Sequence, residues 1–242
     1  MKSREAGTTL IEILVAVSLL GMLSVGVLMS MRSGMDAMGR TNDRLIANRK
    51  ASGAKHILEN QLQGFIPAAA LCSPGPDVPR TKLPFFQGET QTMRFVSGYS
   101  LDGGWRGLPR ILEYLVIPRD DGKGFRLIVN EIPYTGPLGA GRSCLGRTVD
   151  PVLGEITRFV PVVPGPASFV LADNLAYCRF EYQEQRLQEP FSIWKPVWNK
   201  TQWPSAVRIE MAPTKENPAG IQPLTVTAPV RVDRFPIFDY VD

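Results

Sequence analysis

The sequence predicts an α+β protein, in which one long N-terminal helix precedes a mainly antiparallel β domain. Three observations support this class. Residues 8–31 are almost entirely apolar, and residues 32–66 contain no proline and repeat apolar side chains at helical spacing. From Pro67 onward, short β-branched and aromatic runs alternate with turns rich in proline and glycine. A helix followed by a series of strands is the pattern of an α+β fold.

The apolar segment 8–31 is long enough to cross a membrane. As a helix it reaches ~36 Å, which exceeds the ~30 Å hydrocarbon core of a bilayer. Its only charged residue is Glu12. A cleaved secretory signal would have a shorter apolar core of ~7–15 residues and a small-residue exit, which residues 32–36 do not supply. A carboxylate in a spanning helix costs ~2.5–3.5 kcal/mol, so Glu12 is predicted to have a function.

The N-terminus resembles the class III signal of type IV pilins and type II secretion pseudopilins. The resemblance rests on a short basic leader with Lys2 and Arg4, then Gly7, Thr8 and Glu12 at the start of a long apolar helix. It implies that prepilin peptidase cuts between Gly7 and Thr8 and N-methylates Thr8. Glu12 then takes the family's fifth mature position. The family usually begins with phenylalanine, so threonine is a departure that bears on methylation rather than on cleavage.

Cleavage would create a positively charged amine at Thr8, buried among apolar helices together with the Glu12 carboxylate. Each charge would need a partner there. In a staggered stack, Glu12 of one subunit can pair with the Thr8 amine of the next. We expect this pair to set the axial register of assembly, as one buried polar group does in a coiled coil.

These expectations divide the chain into four parts. They are a leader at 1–7, a transmembrane half of the helix at 8–31, an amphipathic periplasmic half at 32–66, and a β-rich periplasmic domain at 67–242. The resemblance implies a single-pass protein of the inner membrane that later enters a pseudopilus. The basic residues after the span favour the opposite orientation by the positive-inside rule, and the resemblance overrides them.

The second half of the helix carries an apolar face at steps of three to seven residues. That face is predicted from these positions: Met31, Met35, Met38, Leu45, Ala54, Leu58, Leu62 and Phe65. Gly64 and Pro67 are predicted to end the helix.

About seven to nine strands are expected after a long surface loop at residues 67–88. They are predicted at residues 92–97, 110–117, 125–131, 156–163, 168–171, 175–183, 206–211 and 224–232. Residues 110–131 are predicted to form a hairpin, and residues 134–147 a loose glycine-rich segment. In 175–183, alternation predicts Leu175 on one face, and Ala176 with Cys178, Phe180 and Tyr182 on the other.

The cysteines have different surroundings. Cys72 and Cys144 lie in turn-rich segments and can form a disulfide in an oxidising compartment or remain reduced; the sequence leaves both outcomes open. Cys178 lies in the alternating strand and is interpreted as a buried free thiol.

Composition argues against catalysis and nucleic-acid binding. The chain has 242 residues and a net charge of only +4, spread along its length. His56 is its single histidine, so a histidine-dependent nucleophile would have to use a residue inside the helix. Asp102 and the pair Asp120–Asp121 are interpreted as turn residues rather than metal ligands. We therefore predict no enzyme activity, no cofactor and no metal.

Three tryptophans lie close together in one proline-bearing connection. Trp194 and Trp198 are candidates for partner contact, or for packing beneath a loop; Trp203 is a weaker candidate because it precedes a strand.

The order of elements resembles the J-type minor pseudopilins, mainly through residues 177–182 and the tryptophan connection leading into residues 204–209. The resemblance implies a non-catalytic subunit near a pseudopilus tip, with I-type, K-type and major pseudopilins and prepilin peptidase as partners. A minor pilin of a type IV pilus, or a signal-anchored periplasmic binding module, is the alternative.

Overall fold

The computed structural model describes residues 9–73, 75, 78–105, 107–151, 154–200, 202–214 and 221–231. Contacts divide the chain into two units, Met1–Asn48 and Arg49–Asp242. The chain folds as one long helix and a mainly antiparallel sheet, so the predicted α+β class is confirmed.

Helix α1 spans Leu10–Gln63, with no proline to interrupt it. It stops where the chain must approach the sheet closely. A Cβ on Gly64 would lie 2.7 Å from Ser97 Oγ, and the Gly64 carbonyl accepts a hydrogen bond from Gly98 N. The predicted end of the helix at Gly64 is confirmed, and glycine is needed there for steric reasons. The prediction that the helix continues to residue 66 was wrong, because Phe65 and Ile66 form a strand of the sheet.

In the part of the chain that the structure describes, the main sheet has nine strands, all paired antiparallel. Its central path is β1-β5-β6-β7-β10-β12-β13, with β4 beside β5 and β11 beside β10. The strands of this sheet are β1 Phe65–Ile66, β4 Gln87–Gly88, β5 Thr92–Ser97, β6 Arg110–Pro118, β7 Phe125–Pro133, β10 Phe169–Gln185, β11 Ser192–Lys195, β12 Ala206–Pro213 and β13 Leu224–Pro229. The predicted β6–β7 hairpin is confirmed, with Pro118 opposite Phe125.

One face of the sheet packs against the last turns of α1. Leu58 and Leu62 are buried there against Phe95, Tyr114 and Phe180. The Phe95 and Tyr114 rings stack with their centroids 5.9 Å apart. Each fully buried side chain of this size contributes about 1.5–3 kcal/mol, so this apolar contact is the main support of the domain.

The opposite face carries a second core, built from segments that the sequence predicted as loops. Strands β2 Ala69–Cys72 and β3 Thr81–Pro84 form a ladder, and Phe85 is fully buried. The prediction of a surface loop at 67–88 was wrong for these residues. Proline and glycine density signalled turns correctly, but the strands between the turns have only four residues each, which is too short for a clear alternation.

The segment predicted as loose at 134–147 is also structured. It forms a short helix α2 at Pro137–Ala140, a 3₁₀ turn at Gly141–Ser143, and the start of strand β8, Cys144–Asp150. Strand β9, Gly154–Phe159, pairs with β8 and ends before the predicted boundary. The described residues contain thirteen strands, more than the seven to nine expected, because several are very short.

A bulge in β10 changes which residues face the core. Leu175 is buried and Ala176 exposed, the reverse of the prediction, whereas Cys178, Phe180 and Tyr182 are buried as predicted. The register shifts between Leu175 and Tyr177 in the pairing with β12, next to Asn174 at a φ of 59°. An extra residue on one strand breaks the two-residue alternation, so sequence alternation cannot be extended across it.

A buried polar network joins α1 to the sheet. The Gln61 amide donates to Glu131 Oε1 at 2.9 Å and accepts from the Tyr114 hydroxyl. Ser97 Oγ donates to the Gln61 carbonyl at 2.8 Å, and Leu101 N donates to Glu131 Oε1 at 2.8 Å. Burial, with a smaller contribution from Glu131, raises the pKa of Tyr114 well above its usual value, so the phenol stays a donor.

We expect Gln61→Ala to lower the free energy of unfolding by about 2–3 kcal/mol, because it leaves the buried Tyr114 hydroxyl without its acceptor and removes one of the two donors to Glu131 Oε1. Gln63→Ala is the matched control, since Gln63 is exposed two residues further along α1. Urea unfolding of the full chain in detergent micelles measures both. Equal effects of the two variants would contradict the role given to Gln61.

Candidate functional site

Glu12 lies in the first turn of α1, where its backbone N donates to the carbonyl of Thr9 at 2.9 Å. Its side chain is exposed, and no other side chain in the described part of the protein pairs with it. A carboxylate in a first turn is favoured by the helix dipole by about 0.3–1 kcal/mol in water. That is less than the cost of placing it in hydrocarbon, so the dipole alone does not account for an acid at this position.

The helix around Glu12 exposes a continuous apolar surface. Its large apolar side chains from Leu10 to Met31 are each at least half exposed. The mean hydropathy of its most apolar 18-residue window is 2.4, and none of that window is buried. By length and composition the helix can span a membrane, with Glu12 near its N-terminal end.

The predicted amphipathic face has two different environments. Met31, Met35, Met38 and Leu45 are 52–76% exposed. Further along α1, Ala54, Leu58 and Leu62 are buried against the sheet, and Phe65 packs against the same core. The helical spacing identified both sets, but only the second set is covered by the described residues.

Gly7 and Thr8, the predicted cleavage and methylation sites, lie outside the described residues, as does the whole leader at 1–7. Of the predicted assembly residues, the structure therefore describes Glu12 alone.

Trp194 and Trp198 are both half-buried and held by neighbours. The Arg208 guanidinium lies 3.9 Å above the Trp194 ring and pairs with Glu181 at 3.3 Å. The Trp198 indole N–H donates to the Gln202 carbonyl at 2.6 Å. Trp203 is 9% exposed and belongs to the core, so packing accounts for it. Trp194 and Trp198 keep accessible edges and remain candidates for partner contact.

The structure joins Cys72 and Cys144 in a disulfide, with Cα atoms 5.2 Å apart. The bond lies in the second core and closes a loop of 72 residues. By chain entropy alone, a loop of this size stabilises a fold by about 4 kcal/mol. Cys178 is a buried free thiol, and burial raises its pKa to about 12.

The charged residues that could suggest chemistry have structural roles. Asp121 accepts a hydrogen bond from Lys123 N and pairs with Arg119, which fixes the β6–β7 turn. Asp102 pairs with Arg110, and His56 contacts Asn60 on the same helix. Among the described residues, no group of three or more histidine, cysteine or carboxylate side chains could hold a metal ion.

A buried ion pair on the second face was not predicted. Arg94 Nε donates to Glu113 Oε1 at 2.8 Å, and its other nitrogens donate to Gln87 Oε1 and the Val160 carbonyl. The sequence signal that could have indicated this pair is the position of Arg94 between Met93 and Phe95, inside an apolar strand. The bond to Val160 holds the segment after β9 against the sheet, so the ion pair has a structural role.

No known family model matches this chain, and no curated protein matches it.

Cys178 should make stability fall at alkaline pH. The folded thiol has a pKa of about 12, whereas an unfolded thiol titrates near ~8.5. Below pH ~8.5 both states keep the proton; above it only the unfolded state releases it, so stability is lost as pH rises toward 12. Between pH 7.5 and 9.5, the wild type should lose about 1.4 kcal/mol more than Cys178→Ala. Urea unfolding at the two pH values measures this, and parallel losses would contradict the assignment.

Proposed function

We propose that this protein is a non-catalytic minor pseudopilin, most similar to the J-type, and a structural subunit at or near the tip of a type II secretion pseudopilus. The observation that carries the proposal is the exposed Glu12 carboxylate, which has no side-chain partner among the described residues and lies in an apolar helix five residues after Gly7, the predicted site of prepilin cleavage. The long helix leading into an antiparallel sheet is compatible with a pilin fold.

Processing would activate assembly by exposing a charge. Removal of the leader frees the α-amine of Thr8, whose positive charge complements Glu12 on a neighbouring subunit. In a low-dielectric helical bundle, such a pair is favourable relative to either charge alone, because an isolated buried charge costs several kcal/mol. The same requirement fixes register, since only one axial stagger brings the two groups together.

The apolar surface of α1 suits movement from the bilayer into a filament. Apolar side chains leave lipid and enter a bundle of similar helices, so they need not cross water. Before this step the chain would reside in the inner membrane, with its β domain in the periplasm. I-type, K-type and major pseudopilins would then be its partners, after cleavage by prepilin peptidase.

We expect Glu12→Val to leave the protein at its normal level in the membrane and to reduce its recovery in complexes with sister pilin-like subunits at least tenfold, because the neighbour's amine loses its partner. Cross-linking and co-purification from membranes measure both quantities. Glu12→Ala should behave in the same way.

Ser18→Ala is the matched control, because the Ser18 hydroxyl is already satisfied by the Val15 carbonyl at 2.8 Å within the helix. It should assemble normally. Normal assembly of Glu12→Val would remove the main support for the proposal.

We expect the mature protein to begin at Thr8, and Gly7→Val to block processing, since a side chain would obstruct the peptidase at the scissile bond. Intact-mass analysis of protein recovered from membranes distinguishes the two forms. Retention of Met1–Gly7 in the wild type would instead favour a signal-anchored periplasmic module. Co-purified partners would distinguish a secretion pseudopilus from a type IV pilus.

A further inference from the structure

A groove opens on the β domain beside Trp198. Three segments line most of it: residues 86–92, strand β9 and residues 197–200. Its volume is about 580 Å³, which lies within the ~300–1,000 Å³ typical of ligand sites. Neither Glu12 nor the helix α1 contributes to it, so it is a separate feature from the assembly site.

The lining contributed by β9 is an open strand edge. β9 contributes Glu155, Ile156, Thr157 and Phe159 to the groove, whereas its partner β8 contributes only Arg147. Within the described ranges, β9 pairs with β8 alone, so its other edge presents unpaired backbone N–H and C=O groups. An open edge of this kind accepts an added strand.

The segment at Trp198 is fixed before any ligand arrives. Trp198 N donates to the Gly88 carbonyl at 2.8 Å, and the indole is held by the Gln202 carbonyl. Gly88 permits this close packing, because a Cβ there would lie 2.8 Å from both Trp198 Cβ and Tyr182 Cζ. The groove is therefore lined by an ordered indole as well as by Ile156, and this order reduces the entropy cost of binding.

The end of the groove at Lys200 carries excess positive charge. Lys200 shares the Glu184 carboxylate with two other cations: the distances are 3.2 Å for Lys200, 2.6 Å for Lys195 and 3.9 Å for Arg186. Elsewhere in the groove the charges offset one another. Arg147 pairs with Glu155 at 2.7 Å, and the Glu89 carboxylate interacts electrostatically with the Arg94 guanidinium, which partly opposes the lowering of the Arg94 pKa by burial.

We propose that this groove binds an extended peptide segment of another protein by strand addition to β9, with an apolar side chain against Ile156 and Trp198 and an acidic side chain at Lys200. The six residues of β9 extend ~20 Å, enough to pair with a segment of five or six residues. Backbone hydrogen bonds supply affinity, and alternate side chains supply selectivity. The inference does not depend on the protein being a pseudopilin.

The test uses the full chain in nanodiscs of zwitterionic phosphatidylcholine and a fluorescein-labelled peptide of sequence TVDVTVD. Three comparison peptides separate the contributions: a basic form, TVKVTVK; a form N-methylated at alternate residues; and a scrambled form with both acids adjacent. Fluorescence anisotropy reports binding. We expect the acidic peptide to bind at least tenfold more tightly than the basic or the N-methylated peptide.

Protein variants locate the site. Lys200→Gln should weaken binding of the acidic peptide about fivefold, because it removes the cation at the groove. Lys195→Gln is the matched control, since it contacts the same Glu184 outside the groove, and it should change binding less than twofold. Equal urea midpoints would show that both variants fold.

Failure of the acidic peptide to bind overturns the proposal. So does equal binding of the N-methylated peptide, because strand addition requires backbone donors. Equal effects of the two lysine substitutions, or competition by a soluble oligosaccharide rather than by unlabelled peptide, would also contradict it.

Discussion

The amide of Gln61 determines how the helix meets the sheet. It is a fully buried polar group at a contact made mainly of leucine and aromatic side chains, and it bonds to groups on two different strands. Apolar contacts alone would tolerate a small rotation or slide of α1. A buried amide does not, because any shift breaks its hydrogen bonds to the Tyr114 hydroxyl and the Glu131 carboxylate. The apolar residues supply stability at this contact, and Gln61 supplies a single orientation.

The second face of the sheet has an analogous device with a charge. Desolvation lowers the pKa of Arg94, and the attraction of Glu113 opposes this effect. Hydrogen bonds to Glu113, Gln87 and the Val160 carbonyl stabilise the buried guanidinium. Both faces of the sheet are thus covered, one by a helix and one by short strands with a disulfide. Other arginines of the sheet are only partly buried. Arg208 lies over the Trp194 ring and Arg179 pairs with Glu210, and both side chains stay in contact with water.

The sequence predicted the elements with strong, uninterrupted patterns. The helix, β5 and the β6–β7 hairpin follow from long apolar repeats and a turn of charged residues and glycine. The burial of Cys178 was predicted correctly because the alternation from Cys178 onward is not interrupted by the bulge. The short strands β2, β3 and β4 gave too few residues for a period. The groove could not be predicted, because it joins β9, residues 86–92 and residues 197–200, which only tertiary pairing brings together. For the same reason the Gln61 contacts, which span 53 and 70 residues, had no local signal.

The bond between Cys72 and Cys144 has a topological consequence. It makes a covalent ring of the chain from β3 to the turn before β8, which includes the central strands β5, β6 and β7. A protease that cut one exposed turn inside this ring, such as the one joining β6 to β7, would leave two pieces still tethered. Such nicked molecules would keep their full mass until a reductant separated the fragments, so damage at this turn would not release half of the sheet.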